Sequence, residues 1–157
     1  MQAAIGINTT NRDEIVKKVC QVLSDEFVLF VKTLNAHWNI EGADFYNKHQ
    51  FFEIQYKEII DIIDSVAERI RALGHYAPGT LNEFLQLTRL SEKRNDANDS
   101  STYIRSLLEG HDAIIIFIRE HLNEITNLYK DAGTGDFLSG LIETHETMSW
   151  KLRAHLS

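Results

Sequence analysis

Between Gly42 and Gly74 the chain runs without a helix breaker and repeats apolar residues at helical spacing, which constrains the fold more than any other stretch. The spacing predicts a helix from about Ala43 to about Leu73, ended by Gly74 and then Pro78. Phe45, Phe52, Tyr56, Ile59, Ile60, Ile63, Val66, Ala67 and Ile70 make its apolar stripe. At roughly 100° per residue from His49, that stripe covers about −100° to 20°. Glu53, Asp64 and Glu68 then fall near about 40°, 60° and 100°. These side chains share one face beside a buried one, and they are ligand types for a hard-to-borderline divalent metal such as iron.

A single copy of this helix cannot close a metal site, because a rise of ~1.5 Å per residue puts His49 and Asp64 roughly 22 Å apart. Two copies running antiparallel across a two-fold axis remove the difficulty. The numbers of His49 and Glu68 add to the same total as those of Glu53 and Asp64, so each residue faces its counterpart on the other copy. His37, just before the turn that enters the helix, folds over the His49 end as a fifth ligand. Spacing alone leaves the alternative of a wetted carboxylate face with satisfied histidines.

The remaining periodicity predicts an all-α chain. A first helix, N-capped by Asn11 with Glu14 three positions on, runs to about Trp38 with Ile15, Val19, Val22, Leu23, Phe27, Phe30, Val31 and Leu34 facing a core. Thr80 and Glu83 read as a capping box opening a short helix at 81–85, and polar residues from Ser91 to Ser101 read as a loop. A third long helix is expected from Ser101 to Lys130, ended by Gly133, and a fourth from Asp136 to Leu156. The run Ile114 to Ile118 is bounded by Asp112 and Arg119 and reads as core, with no membrane span.

With 157 residues and 43% apolar content, the chain suits one domain over 1–157 with residues 1–10 as a tail. The absence of a signal-peptide pattern in Met1 to Thr10 predicts a cytoplasmic protein. The single cysteine, Cys20, allows no internal disulfide and reads as a small core residue. A net charge of −7 and a pI near 5.4 argue against broad affinity for nucleic acid. No Glu has a His three residues later, so the paired motif of di-iron bundles that close their site within one subunit is missing. His75, His111, His121 and His155 read as surface or core residues, and His145 beside Glu143 and Glu146 as a weak second metal candidate.

His37-Trp38-Asn39, Gly42, Phe45, His49, Glu53, Tyr56, Asp64 and Ala67-Glu68-Arg69, closed by Leu73-Gly74, resemble the signature of the Dps family, the mini-ferritins. Gly133 to Leu138, and His145-Glu146 through Trp150, resemble that family's last helix, so the likeness covers nearly the whole chain. The resemblance implies a ferritin-like four-helix bundle with a short extra helix between the second and third long ones, assembled as a hollow homododecamer. It also implies ferroxidase centres at the two-fold dimer interface, each taking His37, His49 and Glu53 from one subunit and Asp64 and Glu68 from the other. The implied activity is oxidation of Fe²⁺ to Fe³⁺, with hydrogen peroxide as oxidant, at a donor set that allows one iron or a two-metal centre. The ferric mineral is then stored in the cage as protection against oxidative stress. Asp131 and Asp136 fall where the family lines its pores with acids, and Trp38 either passes an electron or packs, with packing expected. Family members that bind DNA commonly use a Lys-rich terminal tail, whereas Met1 to Asn11 contains no Lys or Arg. The alternative function is a nucleoid-compacting, DNA-binding stress protein whose metal sites are structural.

Overall fold

The computed structural model of the chain describes residues 3–156. Helix α1 spans Thr9–Asn39, α2 Phe45–Ala72, α3 Leu81–Leu87, α4 Ser100–Asn123 and α5 Ala132–Ala154, with a π-helical turn at Glu124–Leu128 between the last two. The four long helices form the bundle and α3 is the short extra helix between the second and third of them, the ferritin-like arrangement. No described helix is long and apolar enough to cross a membrane.

The first helix begins earlier than its sequence suggests. Asn8, in extended backbone, accepts the Asn11 N–H on its side-chain oxygen at 2.8 Å, so Asn8 and not Asn11 is the N-cap. The Asn11 amide instead donates to the carbonyl of Tyr129 at 3.1 Å, tying the start of α1 to the end of the π turn. Helix α2 starts behind Asp44, whose carboxylate does not cap it but accepts from Ser100 Oγ at 2.6 Å. It stops where expected, since Gly74 takes φ +86, a left-handed conformation that suits glycine. The Thr80–Glu83 capping box at α3 is present in both directions.

The second half departs further from expectation. Helix α4 opens behind Asp99, whose side chain accepts the Thr102 N–H at 3.0 Å, and it ends at Asn123 instead of Lys130 because the backbone widens into the π turn. The left-handed residue before α5 is Lys130 at φ 62, while Gly133 lies inside the first turn of α5 and breaks nothing. Asp131 begins that helix by accepting the Thr134 N–H at 2.9 Å.

Burial follows the helical stripes. Phe52, Ile59, Val66 and Ile70 of α2 are buried, as are Ile114, Ile115, Phe117 and Ile118 of α4, whereas Ile116 faces outward. Two members of the expected α2 stripe do not reach this core: Phe45 is half-exposed and Ile60 is 41% exposed, while Ile62 is buried in the adjacent row. Cys20 packs partly buried against the core, and burial pushes its thiol up to about 11. Its role as a packing residue is the expected one.

Candidate metal centre

The end of α1 and the start of α2 lie antiparallel, which brings His37 against His49 with ring centroids 3.8 Å apart and planes 18° from parallel. His37 Nδ1 bonds the backbone carbonyl of His49 at 2.8 Å, and His49 Nδ1 bonds that of His37 at 2.7 Å. A carbonyl can only accept, so both imidazoles carry their proton on Nδ1. In the neutral rings each Nε2 therefore keeps a free lone pair, the tautomer and orientation a metal ligand requires. Phe45 stacks on the outer side of His49 at 5.2 Å, and Tyr56 meets His37 edge-on at the same distance. Phe30 in turn packs edge-on against Tyr56. These aromatic contacts leave the two histidines little freedom to turn.

Glu53 follows His49 by one helical turn. Its carboxylate accepts from Lys57 Nζ at 2.5 Å, and Lys57 first, with the two histidines adding a smaller attraction, holds its carboxyl below the ordinary range. Lys57 stands four residues after Glu53, the usual helical pairing interval, so a cation competes with any metal for this carboxylate. Asp64 and Glu68 lie exposed toward the other end of α2, about 22 Å of helix rise from His49 in the case of Asp64. The structure pairs His37 with His49, places Glu53 one turn further along α2 with its carboxylate on Lys57, and leaves Asp64 and Glu68 apart from them within the subunit. Among the described residues no three His, Cys, Asp or Glu side chains of one chain converge as a metal nest.

Other residues singled out by sequence have different roles. Asp131 is buried, accepts from Thr134 and pairs with Arg69 of α2 at 3.3 Å, so of the two candidate pore acids only Asp136 presents its carboxylate to solvent. His145 does not join Glu143 and Glu146: Glu143 is exposed, Glu146 binds Arg119, and His145 turns inward to Glu26 and His111. His75 sits part-buried with Asp13 Oδ1 2.8 Å from its Nε2. Trp38, expected to pack, is 67% exposed on the subunit.

Fold and helix order define a ferritin-like protein, and the family model for a ferritin-like domain matches residues 16–157. The DNA protection during starvation protein of Helicobacter pylori is 32% identical over 137 residues, which cover 85% of this chain and 92% of that one. A low temperature-induced protein of Nostoc sp. is 36% identical over 152 residues, 97% of this chain and 85% of its own. The crystal structure of a Dps protein from Vibrio cholerae, described as a member of a broad superfamily of ferritin-like diiron-carboxylate proteins, superposes with a TM-score of 0.92 at 28% identity, covering 99% of this chain and 97% of that one. Within the ferritin-like class, the chain belongs to the Dps family.

Proposed function

We propose that this protein is an iron-sequestering mini-ferritin that oxidises Fe²⁺ at centres shared between two subunits and stores the ferric product inside a hollow dodecamer. The observation that carries the reading is the crossed pair of Nδ1-to-carbonyl hydrogen bonds, which leaves the Nε2 atoms of His37 and His49 free, with Glu53 one helical turn after His49. Asp64 and Glu68 of a second, antiparallel α2 would complete the donor set. Two features of the subunit surface support such a pairing. Ile60 lies exposed on the ligand face of α2, between Glu53 and Asp64. An open, mostly apolar groove of about 330 Å³ runs between α1 and α3, beside the exposed side chains of Val31, Leu81 and Leu85. A second copy would cover both.

The chemistry follows from the donor set. Fe²⁺ is the substrate; imidazole nitrogen and carboxylate oxygen both suit it, and the carboxylates favour the higher charge of Fe³⁺. Hydrogen peroxide takes one electron from each of two Fe²⁺ ions and, with two protons, leaves as water. The enzyme is a ferroxidase in this reading, and it removes both reagents of hydroxyl-radical formation. The test is anaerobic loading with Fe²⁺ followed by peroxide, comparing wild type with His37→Ala and Asp64→Ala. The reading requires both variants to lose the fast oxidation phase, and equal rates in all three would overturn it.

The names of relatives such as the Helicobacter pylori protein favour a second reading, protection of DNA by direct binding. The net charge of −7 opposes it, since binding the phosphate backbone depends on Lys and Arg. A gel-shift titration at physiological salt separates the two, because a DNA compactor must retard DNA and an iron oxidase need not.

A further inference from the structure

A chain of three ionisable side chains crosses the buried centre of the bundle. Glu26 of α1, His111 of α4 and His145 of α5 are each fully buried and occupy core slots, Glu26 between Val22 and Leu29, His111 between Leu107 and Ile114, His145 between Leu141 and Met148. His145 Nε2 lies 2.7 Å from Glu26 Oε1, and His145 Nδ1 lies 2.8 Å from His111 Nδ1. The groups are strung in a line, each using its neighbour's lone pair, so they do not converge on a common centre as metal ligands would. Both ends of the line are unsatisfied: Glu26 Oε2 and His111 Nε2 are buried without a partner.

Counting protons fixes the charge state. An ionised Glu26 beside a neutral His145 would leave a bare charge in the core, which is costly, whereas one proton shared between them makes the pair neutral. His145 donates a second proton from Nδ1 to His111 Nδ1, and a third proton on the unpartnered His111 Nε2 leaves that ring uncharged. Among the described residues no further acid faces the line to balance more positive charge. The contacts Glu58–Lys151 and Arg69–Thr134 put residues 58–64 of α2 level with His145. The buried residues of that segment are Ile59 and Ile62, Glu58 turns to Lys151, and Asp61 and Asp64 are exposed. Asp25 on α1 is committed to Arg89, and Asp112 on α4 to Ser149 and Arg153.

We propose that the Glu26–His145–His111 line is an acid-sensitive switch in the subunit core, neutral with its present protons and unable to take up another without opening the packing of α4 and α5 on α1. The position of His111 agrees, since burial first, and then the neighbouring His145, hold its imidazole well below the ordinary value of 6.5. Unfolded His111 accepts a proton as pH falls through that value while the folded form refuses it. Stability present above about pH 6.5 is therefore lost progressively as the pH drops below it.

The test measures apparent unfolding of the assembled protein in urea, at fixed subunit concentration, from about pH 7.5 to about pH 5. It compares wild type with an apolar replacement of the line, Glu26→Leu with His111→Leu and His145→Leu, and with His111→Gln, whose amide accepts from His145 Nδ1 but does not titrate. Below about pH 6.5 the wild-type unfolding constant should rise about tenfold more per pH unit than that of either variant, the slope of one extra proton. Should the triple variant not fold, His111→Gln decides alone. A His111→Gln slope equal to wild type, or a His111 ring seen by NMR to titrate near its ordinary value in the folded protein, overturns the proposal.

Discussion

His37 and His49 hold each other by crossed hydrogen bonds, each ring donating its Nδ1 proton to the other residue's backbone carbonyl, so neither imidazole can turn without freeing the other. The lock is made of main chain and two side chains from different helices, and it fixes the two Nε2 atoms that the proposed centre uses. Replacing His49 with Ala removes one ligand and also the brace on His37. The expected result is a loss of ferrous affinity or initial oxidation rate larger than the roughly 10- to 100-fold that lost ligand-orienting bonds cost on their own. Stopped-flow absorbance of the ferric product reads it directly.

Asp25 is fully buried and accepts from Thr88 Oγ1 at 2.8 Å, from the Arg89 N–H at 2.7 Å and from the Arg89 guanidinium, which also lies over the Phe117 ring. These bonds pin the segment after α3 to α1. Asp25→Ala should cost about 2 to 3 kcal/mol, because it strands two donors and loosens a cation. The check is the thermal midpoint against wild type at equal subunit concentration.

At the α3 capping box, Glu83 Oε2 accepts from the Thr80 N–H at 3.0 Å while Thr80 Oγ1 accepts the Glu83 N–H at 3.2 Å. Thr80→Ala should destabilise by about 1 kcal/mol, the usual worth of an N-cap. The helix is only seven residues long, so its amide exchange should rise before global unfolding does.

A Cβ added at Gly135 would sit 2.3 Å from Thr126 Oγ1, in the π turn that leads into α5. Gly135→Ala therefore forces the π turn and α5 apart and should cost about 1 to 3 kcal/mol. Shrinking the obstacle with Thr126→Ala in the same chain should recover most of that loss. Denaturation midpoints of the single and double variants test both statements.

Helix α2 and the face that carries His49, Glu53, Asp64 and Glu68 are legible because a helical repeat and breakers at its two ends fix which side chains lie together. The Thr80 cap was legible for the same local reason. Asn8 was missed because Asn11 and Glu14 imitate a capping pair, and backbone geometry chooses between two asparagines three residues apart. The π turn carries no breaker: Glu124 to Leu128 continues the helical composition, and its widening reflects how α4 must meet α5. The Glu26–His145–His111 line joins residues far apart in the chain, so no local pattern predicts it. Its one trace in the sequence is that all three occupy core slots of otherwise apolar helical stripes.

The shared centre is tested most directly by mixing two dead subunits. His37→Ala and Asp64→Ala are each expected to be inactive alone, yet in a mixed pair one centre receives an intact His37 from one chain and an intact Asp64 from the other. With random co-assembly of equal amounts, half the pairs are mixed and each has one working centre of two, so peroxide-driven Fe²⁺ oxidation should return to about a quarter of the wild-type rate. Co-expressed, co-purified assemblies that stay as inactive as either parent would show that His37 and Asp64 do not meet across the interface, and the account would fail.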